Sequence, residues 1–384
     1  MEIEEYIELA ADMIRRGYDE RKIRSKLPRE SADEIIEIAR ARIKAKDKFS
    51  RTDLWMDMEG LRYATHETVA EYRAGRVKPG SIADVSCGIG IQLIFFAKYA
   101  EEAYAIDIDE RKLFYAEKNA EKYGVRERIH FIHGDSLSRE IIKQVHADVV
   151  FSDPARPPQM PERRLEDLLP SPLRVYEAYR HKTDAFIFDL PPQIRREKIP
   201  WKGEFEYIDL FGALNRLTFY LGPLAKAERS AVLLPQGVRL ESNPDLENIV
   251  EWGEPLQYLY EIPQAIDHAD LINELFHTVK GTLHMLLREK RRVLATSDEK
   301  IKSEYFKRAY IITGITKFHP VRINDFLRKN GYGRATLRVS IPDTAYWSFR
   351  RRIESGLRGE KRAFVFQYKD RAIIAEAMPE SWGT

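Results

Sequence analysis

The sequence predicts an α/β fold with a mostly parallel central sheet, preceded by a helical region and followed by a smaller α+β unit. Three observations carry this. Residues 1–50 place apolar side chains at helical spacing, the middle of the chain alternates short β-rich apolar runs with helical segments, and residues 306–384 repeat a strand-helix rhythm before closing on a hairpin. With 384 residues, 43% of them hydrophobic, the chain is long enough to bury more than one core.

Taken in order, Ile3, Ile7, Ala10 and Ile14 fall on one face of a first helix, and Ser31 with Glu34 forms a capping-box pattern before another. The helices extend to about Phe49, giving a helical region over 1–50. From 51 to 270 the apolar runs 82–86, 103–108, 129–133, 148–152, 185–190 and 231–234 alternate with helical stretches, as βαβ units do. The charged stretch 271–292 predicts a helical connector over 271–305. In 306–384 the pattern predicts a strand at 309–315, a helix at 321–329, a strand at 334–340, a helix at 344–354 and a hairpin turning near Lys369-Asp370.

Composition narrows the function classes. Basic and acidic residues number 63 and 61, so net charge gives no argument for nucleic acid and any such argument must be local. A single cysteine, Cys87, excludes an internal disulfide framework and a cysteine-built zinc site, so no metal site is expected. The acidic start Met1-Glu2-Ile3-Glu4-Glu5 lacks a basic and apolar leader, and no apolar run reaches membrane-spanning length. The expectation is a cytoplasmic protein without a membrane partner.

The first strand of the middle region runs into Asp84-Val85-Ser86-Cys87-Gly88-Ile89-Gly90, and an amphipathic helix follows. Glycines at such a turn let the backbone approach a ligand closely. The next strand ends in Asp107, 23 residues after Asp84, where a carboxylate can accept hydrogen bonds from both ribose hydroxyls of an adenosine. The third strand ends in His133-Gly134-Asp135, which presents Asp135 toward the adenine amino group. A Rossmann-like fold is thereby predicted. A dinucleotide would call for a third glycine beside its pyrophosphate, and Ile91-Gln92-Leu93-Ile94 offers none. A sulfonium cofactor needs no phosphate cradle, so the expected cofactor is S-adenosylmethionine. Its candidate site comprises Asp84, Ser86, Cys87, Gly88, Gly90, Asp107, Ile108, Asp135, Ser136 and Asp153.

The fourth strand runs into Asp153-Pro154-Ala155-Arg156-Pro157-Pro158. This resembles the Asp/Asn-Pro-Pro-aromatic loop of amino-methyltransferases that act on nucleobases or glutamine. Exocyclic amines are poor nucleophiles because their lone pair is delocalised into the ring. A carboxylate and a backbone carbonyl that accept the amine hydrogens localise the lone pair and aim it, and Asp153 and Pro154 are assigned those tasks. Ala155 replaces the second proline, and Arg156 stands in the aromatic position, where it can stack on a base or hold a phosphate. Methylation at pyrimidine carbon 5 needs a cysteine nucleophile near the substrate; Cys87 lies in the cofactor turn, so that chemistry is rejected.

Beyond these two motifs, Lys46-Asp47-Lys48-Phe49, Ala64-Thr65-His66-Glu67, Tyr72-Arg73-Ala74-Gly75-Arg76, Tyr258-Leu259-Tyr260-Glu261 and Phe326-Leu327-Arg328-Lys329-Asn330-Gly331-Tyr332-Gly333 complete a likeness. The chain resembles the class I S-adenosylmethionine-dependent methyltransferases with a THUMP-like carboxy-terminal domain, a family of predicted RNA methylases. The resemblance covers most of the chain after about residue 40. It implies a seven-stranded, mostly parallel methyltransferase sheet over 51–270, a THUMP-like, ferredoxin-like domain over 306–384, and an RNA substrate. By analogy within this fold, Thr65 and His66, which precede the first strand, reach the cofactor; a capping role is the bland alternative for His66.

Local charge agrees with RNA. Residues 316–362 hold 12 Lys/Arg against 4 Asp/Glu, and Arg350-Arg351-Arg352 stands near Tyr346, Trp347 and Phe349. That combination offers charge to phosphates and flat faces to bases, although helix-terminal arginines and core aromatics would look similar. The leading expectation is methyl transfer to an exocyclic amine of ribosomal RNA or a ribosomal subunit, with cytidine N4 slightly ahead of guanine N2. Two alternatives stand beside it: a protein glutamine N-methyltransferase, and a non-catalytic cofactor- and RNA-binding module for ribosome assembly.

Overall fold

The computed structural model describes residues 2–155 and 164–379. Contacts divide the chain into two units, Met1–Glu206 with Arg216–Glu228 and Tyr207–Asn215 with Arg229–Thr384. Among the described residues no helix is long and apolar enough to cross a membrane.

The first unit opens with α1 (Ile3–Arg15), α2 (Glu20–Arg24) and α3 (Ala32–Ala45). Ile7, Ala10, Ala11 and Met13 form the buried face of α1, which packs on α3. Arg42 of α3 is buried because it is fully employed: it donates to the carbonyls of Asp53 and Leu54 and pairs with Glu4 and Glu8. Ser31 does precede α3, but its side chain makes no capping bond. The expected partner Glu34 instead accepts the Tyr115 hydroxyl at 2.8 Å.

After α4 (Met58–Tyr63) and α5 (Glu67–Val77) comes the sheet: β1 (Ser81–Asp84), α6 (Ile91–Ala97), β2 (Glu102–Asp107), α7 (Glu110–Tyr123), β3 (Ile129–His133), α8 (Arg139–Gln144), β4 (Val149–Ser152), α9 (Pro172–Tyr179), β5 (Ala185–Leu190), β6 (Gly203–Leu210) and β7 (Ala213–Leu221). With β8 (Arg229–Leu234) and β9 (Val238–Glu241) it forms nine strands in the order β3-β2-β1-β4-β5-β7-β6-β8-β9, two more than expected. Strands β1 to β5 pair in parallel and β7 runs antiparallel to β5. The order turns back between β1 and β4, so their carboxyl ends flank the crevice where open α/β sheets bind ligands. Strand β6 escaped the sequence pattern because Glu204 and Glu206 interrupt an apolar run. Both are buried, Glu204 by pairing with Arg76 and Glu206 by accepting the hydroxyls of Tyr72 and Tyr220.

The second unit adds β10 (Tyr258–Ile262), α10 (Gln264–His268), α11 (Ile272–Thr278), β11 (His284–Glu289), β12 (Arg292–Ser297), β13 (Arg308–Lys317), α12 (Pro320–Lys329), β14 (Tyr332–Arg338), α13 (Asp343–Glu354), β15 (Lys361–Tyr368) and β16 (Arg371–Ala377). Its seven-stranded sheet has the order β11-β12-β10-β13-β16-β15-β14. The expected connector over 271–305 is thus a short helix and a β-hairpin. Buried Met285, Leu286, Val293 and Leu294 make the hairpin, and the charges of Lys290-Arg291 mark its turn rather than a helix face. Residues 258–262, which fall inside the expected 51–270 domain but carry no expected strand, form β10 and pair with β12 and β13. The elements from β13 to β16 follow the expected sequence, but their β-α-β-α-β-β order differs from the ferredoxin-like β-α-β-β-α-β unit. Parallel pairing of β14 with β15 requires the crossover through α13.

Candidate active site

The turn after β1 stays in register with both neighbours: Val85 N–H donates to the Phe151 carbonyl and Cys87 N–H to that of Ile106, each at 3.0 Å. Its two glycines do different work. Gly90, at φ +82°, closes on α7, where a Cβ would lie 2.8 Å from that of Ala116. Gly88, at φ +54°, faces open space, with nothing within 4 Å of a Cβ built there.

Asp107 holds this turn. Its carboxylate accepts the Gly88 N–H at 2.7 Å and the Asp109 N–H at 2.9 Å, one on each oxygen. Each oxygen keeps a lone pair for a ligand hydroxyl. Ile108 beside it is 74% exposed, and the His133 ring nitrogen lies 3.1 Å from the Ile108 carbonyl. Asp135 is exposed, with its carboxylate accepting the Leu137 N–H at 2.9 Å; Ser136 is buried and its carbonyl accepts the Tyr179 hydroxyl.

Asp84 lies beneath the turn, buried, accepting the Ser86 N–H at 3.1 Å. Burial pushes its carboxyl well above the usual carboxylate range, and the charges of Asp153 and Asp107 push the same way. Three strand-end carboxylates therefore share one electrostatic site. Burial also pushes the Cys87 thiol up, which fits a packing residue and not a nucleophile.

Asp153 follows β4. Its N–H donates to Ser86 Oγ at 3.1 Å, and Ser86 Oγ lies 3.3 Å from Ser152 Oγ, so the loop after β4 and the glycine turn are joined. Pro154 is buried, and Ala155 is fixed by a two-way backbone bridge to Leu169. Arg156 lies outside the described residues.

Thr65 is buried and accepts a hydrogen bond from Arg216 at 3.3 Å. His66 caps α5, with Nδ1 accepting the Thr68 N–H at 3.2 Å and Nε2 lying 3.1 Å from the Asp47 carbonyl. The strap leading to them is pinned by Asn119, which exchanges hydrogen bonds with the Trp55 backbone and donates to the Ile89 carbonyl in the glycine turn. Asp57 adds a bond to Arg111 of α7 at 2.7 Å.

Four site residues were not singled out from the sequence. Arg216 on β7 lies 3.5 Å from Asp153 and pairs with Asp189 at the end of β5. Arg73 is buried beneath, bound to both Asp189 oxygens at 2.5 and 2.7 Å and to Gln92. These two arginines hold the Asp189 carboxyl below its ordinary value despite burial. Lys48 donates to the Leu61 carbonyl at 2.7 Å; burial and the charge of Arg216 lower its pKa to about 8, partly opposed by Asp153. The only signals were the motifs around Lys48 and Arg73, which carry no role on their own.

On the second unit, α13 divides the aromatics of 346–349. Tyr346 and Phe349 pack against the core, whereas Trp347 is 64% exposed with the Arg350 guanidinium 5.8 Å from its ring centre. Arg350 also pairs with Glu354, and Arg351 and Arg352 are exposed.

Residues 80–160, from β1 through the Asp153 loop, match the family model described as RNA cap guanine-N2 methyltransferase. The chain is 28% identical over 195 residues to uncharacterized S-adenosylmethionine-dependent methyltransferases of Mycobacterium tuberculosis strains CDC 1551 and H37Rv, covering 49% of this chain. It spans about half the length of these curated relatives, 52%. A crystal structure from Porphyromonas gingivalis W83, described as a "putative methyltransferase", superposes with a TM-score of 0.76 over 98% of both chains at 17% identity, which shows a shared fold.

Proposed function

We propose that this chain, whose core has the class I S-adenosylmethionine-dependent methyltransferase fold, methylates RNA on an exocyclic base amine. The observation that carries the reading is Asp153: a carboxylate at the end of β4, tethered to the glycine turn through Ser86 and braced by Arg216. The cofactor fits the residues present. Asp107 and Asp153, joined by Asp84 once it ionises, give a negative field suited to a sulfonium and an ammonium, the space before Gly88 is open, and Asp107 retains acceptor capacity for a ribose.

S-adenosylmethionine supplies an electrophilic methyl when bound. The chain's own part is positioning: Asp153 and the Pro154 carbonyl accept the two amine hydrogens, concentrate the nitrogen lone pair and direct it. Arg156 stacks on the target base or holds its phosphate. Asp153 suits guanine N2 and cytidine N4 equally, and the family model over 80–160 supports guanine N2, reversing the order favoured by sequence alone. Ribosomal RNA is the proposed target class, bound through the basic α13 face, where Trp347 offers a stacking surface beside Arg350 and Arg351. A cytoplasmic site of action belongs to the same reading.

The test supplies purified protein with labelled S-adenosylmethionine and, separately, ribosomal subunits and free RNA from a strain lacking the gene, followed by nucleoside mass spectrometry. N2-methylguanosine is expected. N4-methylcytidine would correct the base, and label only in protein would overturn the RNA reading.

A further inference from the structure

Arg216 enters the site from a strand remote in sequence from both the glycine turn and the acceptor loop. Antiparallel pairing sets Thr218 opposite Asp189, which brings Arg216 to the edge where β4 and β5 end. There its Nη1 lies 3.5 Å from Asp153 Oδ2, donates to Thr65 Oγ1 at 3.3 Å and pairs with Asp189 Oδ2.

The three partners differ in kind. Asp189 is an anchor: its side chain is 1% exposed and is held by Arg73 and by the Thr218 hydroxyl at 2.8 Å. Asp153 belongs to the acceptor loop, and Thr65 to the strap that also touches the glycine turn through Asn119. Arg216, itself 13% exposed, is the joint between them. Lys48 adds a second charge to the arrangement, one that repels the Arg216 guanidinium and attracts the Asp153 carboxylate. A lysine at 216 could not replicate the joint: all three contacts run to the one terminal nitrogen Nη1, and an ammonium, carried on a side chain one bond shorter, would not reach the three acceptors from the same backbone position.

We propose that Arg216 is the positioning residue of the acceptor site: anchored on Asp189, it sets the Asp153 carboxylate and the Thr65 strap in one register, so that acceptor loop and strap are ordered together. The identity of the acceptor rests on the function proposed above; the coupling of the two segments does not.

The experiment compares wild type, Arg216→Lys and Arg216→Ala in three measurements on the full chain: amide hydrogen exchange across 61–67, S-adenosylhomocysteine affinity by calorimetry, and methyl-transfer kinetics. Faster exchange in 61–67 is expected in both variants, with melting temperature nearly kept in Arg216→Lys. Turnover is expected to fall by roughly 100-fold, the scale of an ångström-level misplacement, with cofactor affinity little changed. Added guanidinium should restore part of the Arg216→Ala turnover and methylammonium should not. Unchanged exchange in Arg216→Lys, or wild-type turnover, would overturn the proposal. If wild-type protein transfers no methyl to RNA, the functional reading fails, while the exchange measurement, which needs no acceptor, still decides the role of Arg216.

Discussion

The Asp107 carboxylate receives the Gly88 N–H at 2.7 Å, so the residue expected to bind the ribose also shapes the glycine turn. Its other oxygen takes the Asp109 N–H at 2.9 Å. An amide at this position presents a donor to one of two backbone donors. Asp107→Asn should therefore weaken S-adenosylhomocysteine binding by about 1.5–3 kcal/mol, the range for hydrogen bonds to a charged group. Titration calorimetry reads it; unchanged affinity would remove Asp107 from the cofactor site.

The two glycines separate stability from binding. Gly90→Ala drives a methyl against Ala116 at a positive φ and should destabilise the fold by about 1–3 kcal/mol. Gly88→Ala meets no protein atom and costs only the left-handed backbone, about 1–2 kcal/mol, but places its methyl in the space a ligand needs. Thermal melts with and without S-adenosylhomocysteine should show ligand stabilisation kept in Gly90→Ala and lost in Gly88→Ala.

What the sequence reveals about this site is what chain neighbours determine. Asp84, Asp107 and Asp153 end parallel strands whose apolar runs are continuous, and each strand is followed by its own turn. Arg216 and Asp189 become partners only when β7 inserts beside β5, a pairing that no local pattern announces. Buried Glu204 and Glu206 hid β6 for a related reason: their charges look like surface until Arg76, Tyr72 and Tyr220 arrive from elsewhere in the chain. In 284–297 the basic turn of a hairpin masked two short strands.

Cofactor binding should release a proton through Asp84. Burial raises its folded-state pKa, so above the usual carboxylate range the folded protein binds more protons than the unfolded chain, and stability falls as pH rises through the raised value. A cationic ligand favours the ionised form, so affinity should rise with pH across that same window. Calorimetry in buffers of different ionisation enthalpy should detect the released proton in wild type and not in Asp84→Asn.

On α13, Trp347→Ala should weaken RNA binding by about 1–3 kcal/mol if bases stack there. Arg351→Gln, a change at an exposed cation, should lower the slope of log affinity against log salt by about 1. Filter binding at several salt concentrations separates the two contributions. Wild-type affinity and slope in both variants would move the RNA contact elsewhere.

Lys48 should trade stability for activity. Its folded-state pKa is lowered to about 8, so between that value and the ordinary lysine value the unfolded chain holds more protons and stability rises with pH. Below about 8 both states are protonated and the cost of a half-buried ammonium beside Arg216 is borne in full. Lys48→Met should therefore stabilise the protein at pH 7 by about 1–3 kcal/mol and remove the rise above pH 8. The same change removes a positive charge that acts on Asp153, so turnover should drop while urea unfolding shows the gain. A variant that is neither more stable at pH 7 nor flatter in pH would mean that the Leu61 carbonyl, 2.7 Å from the ammonium, compensates the charge fully.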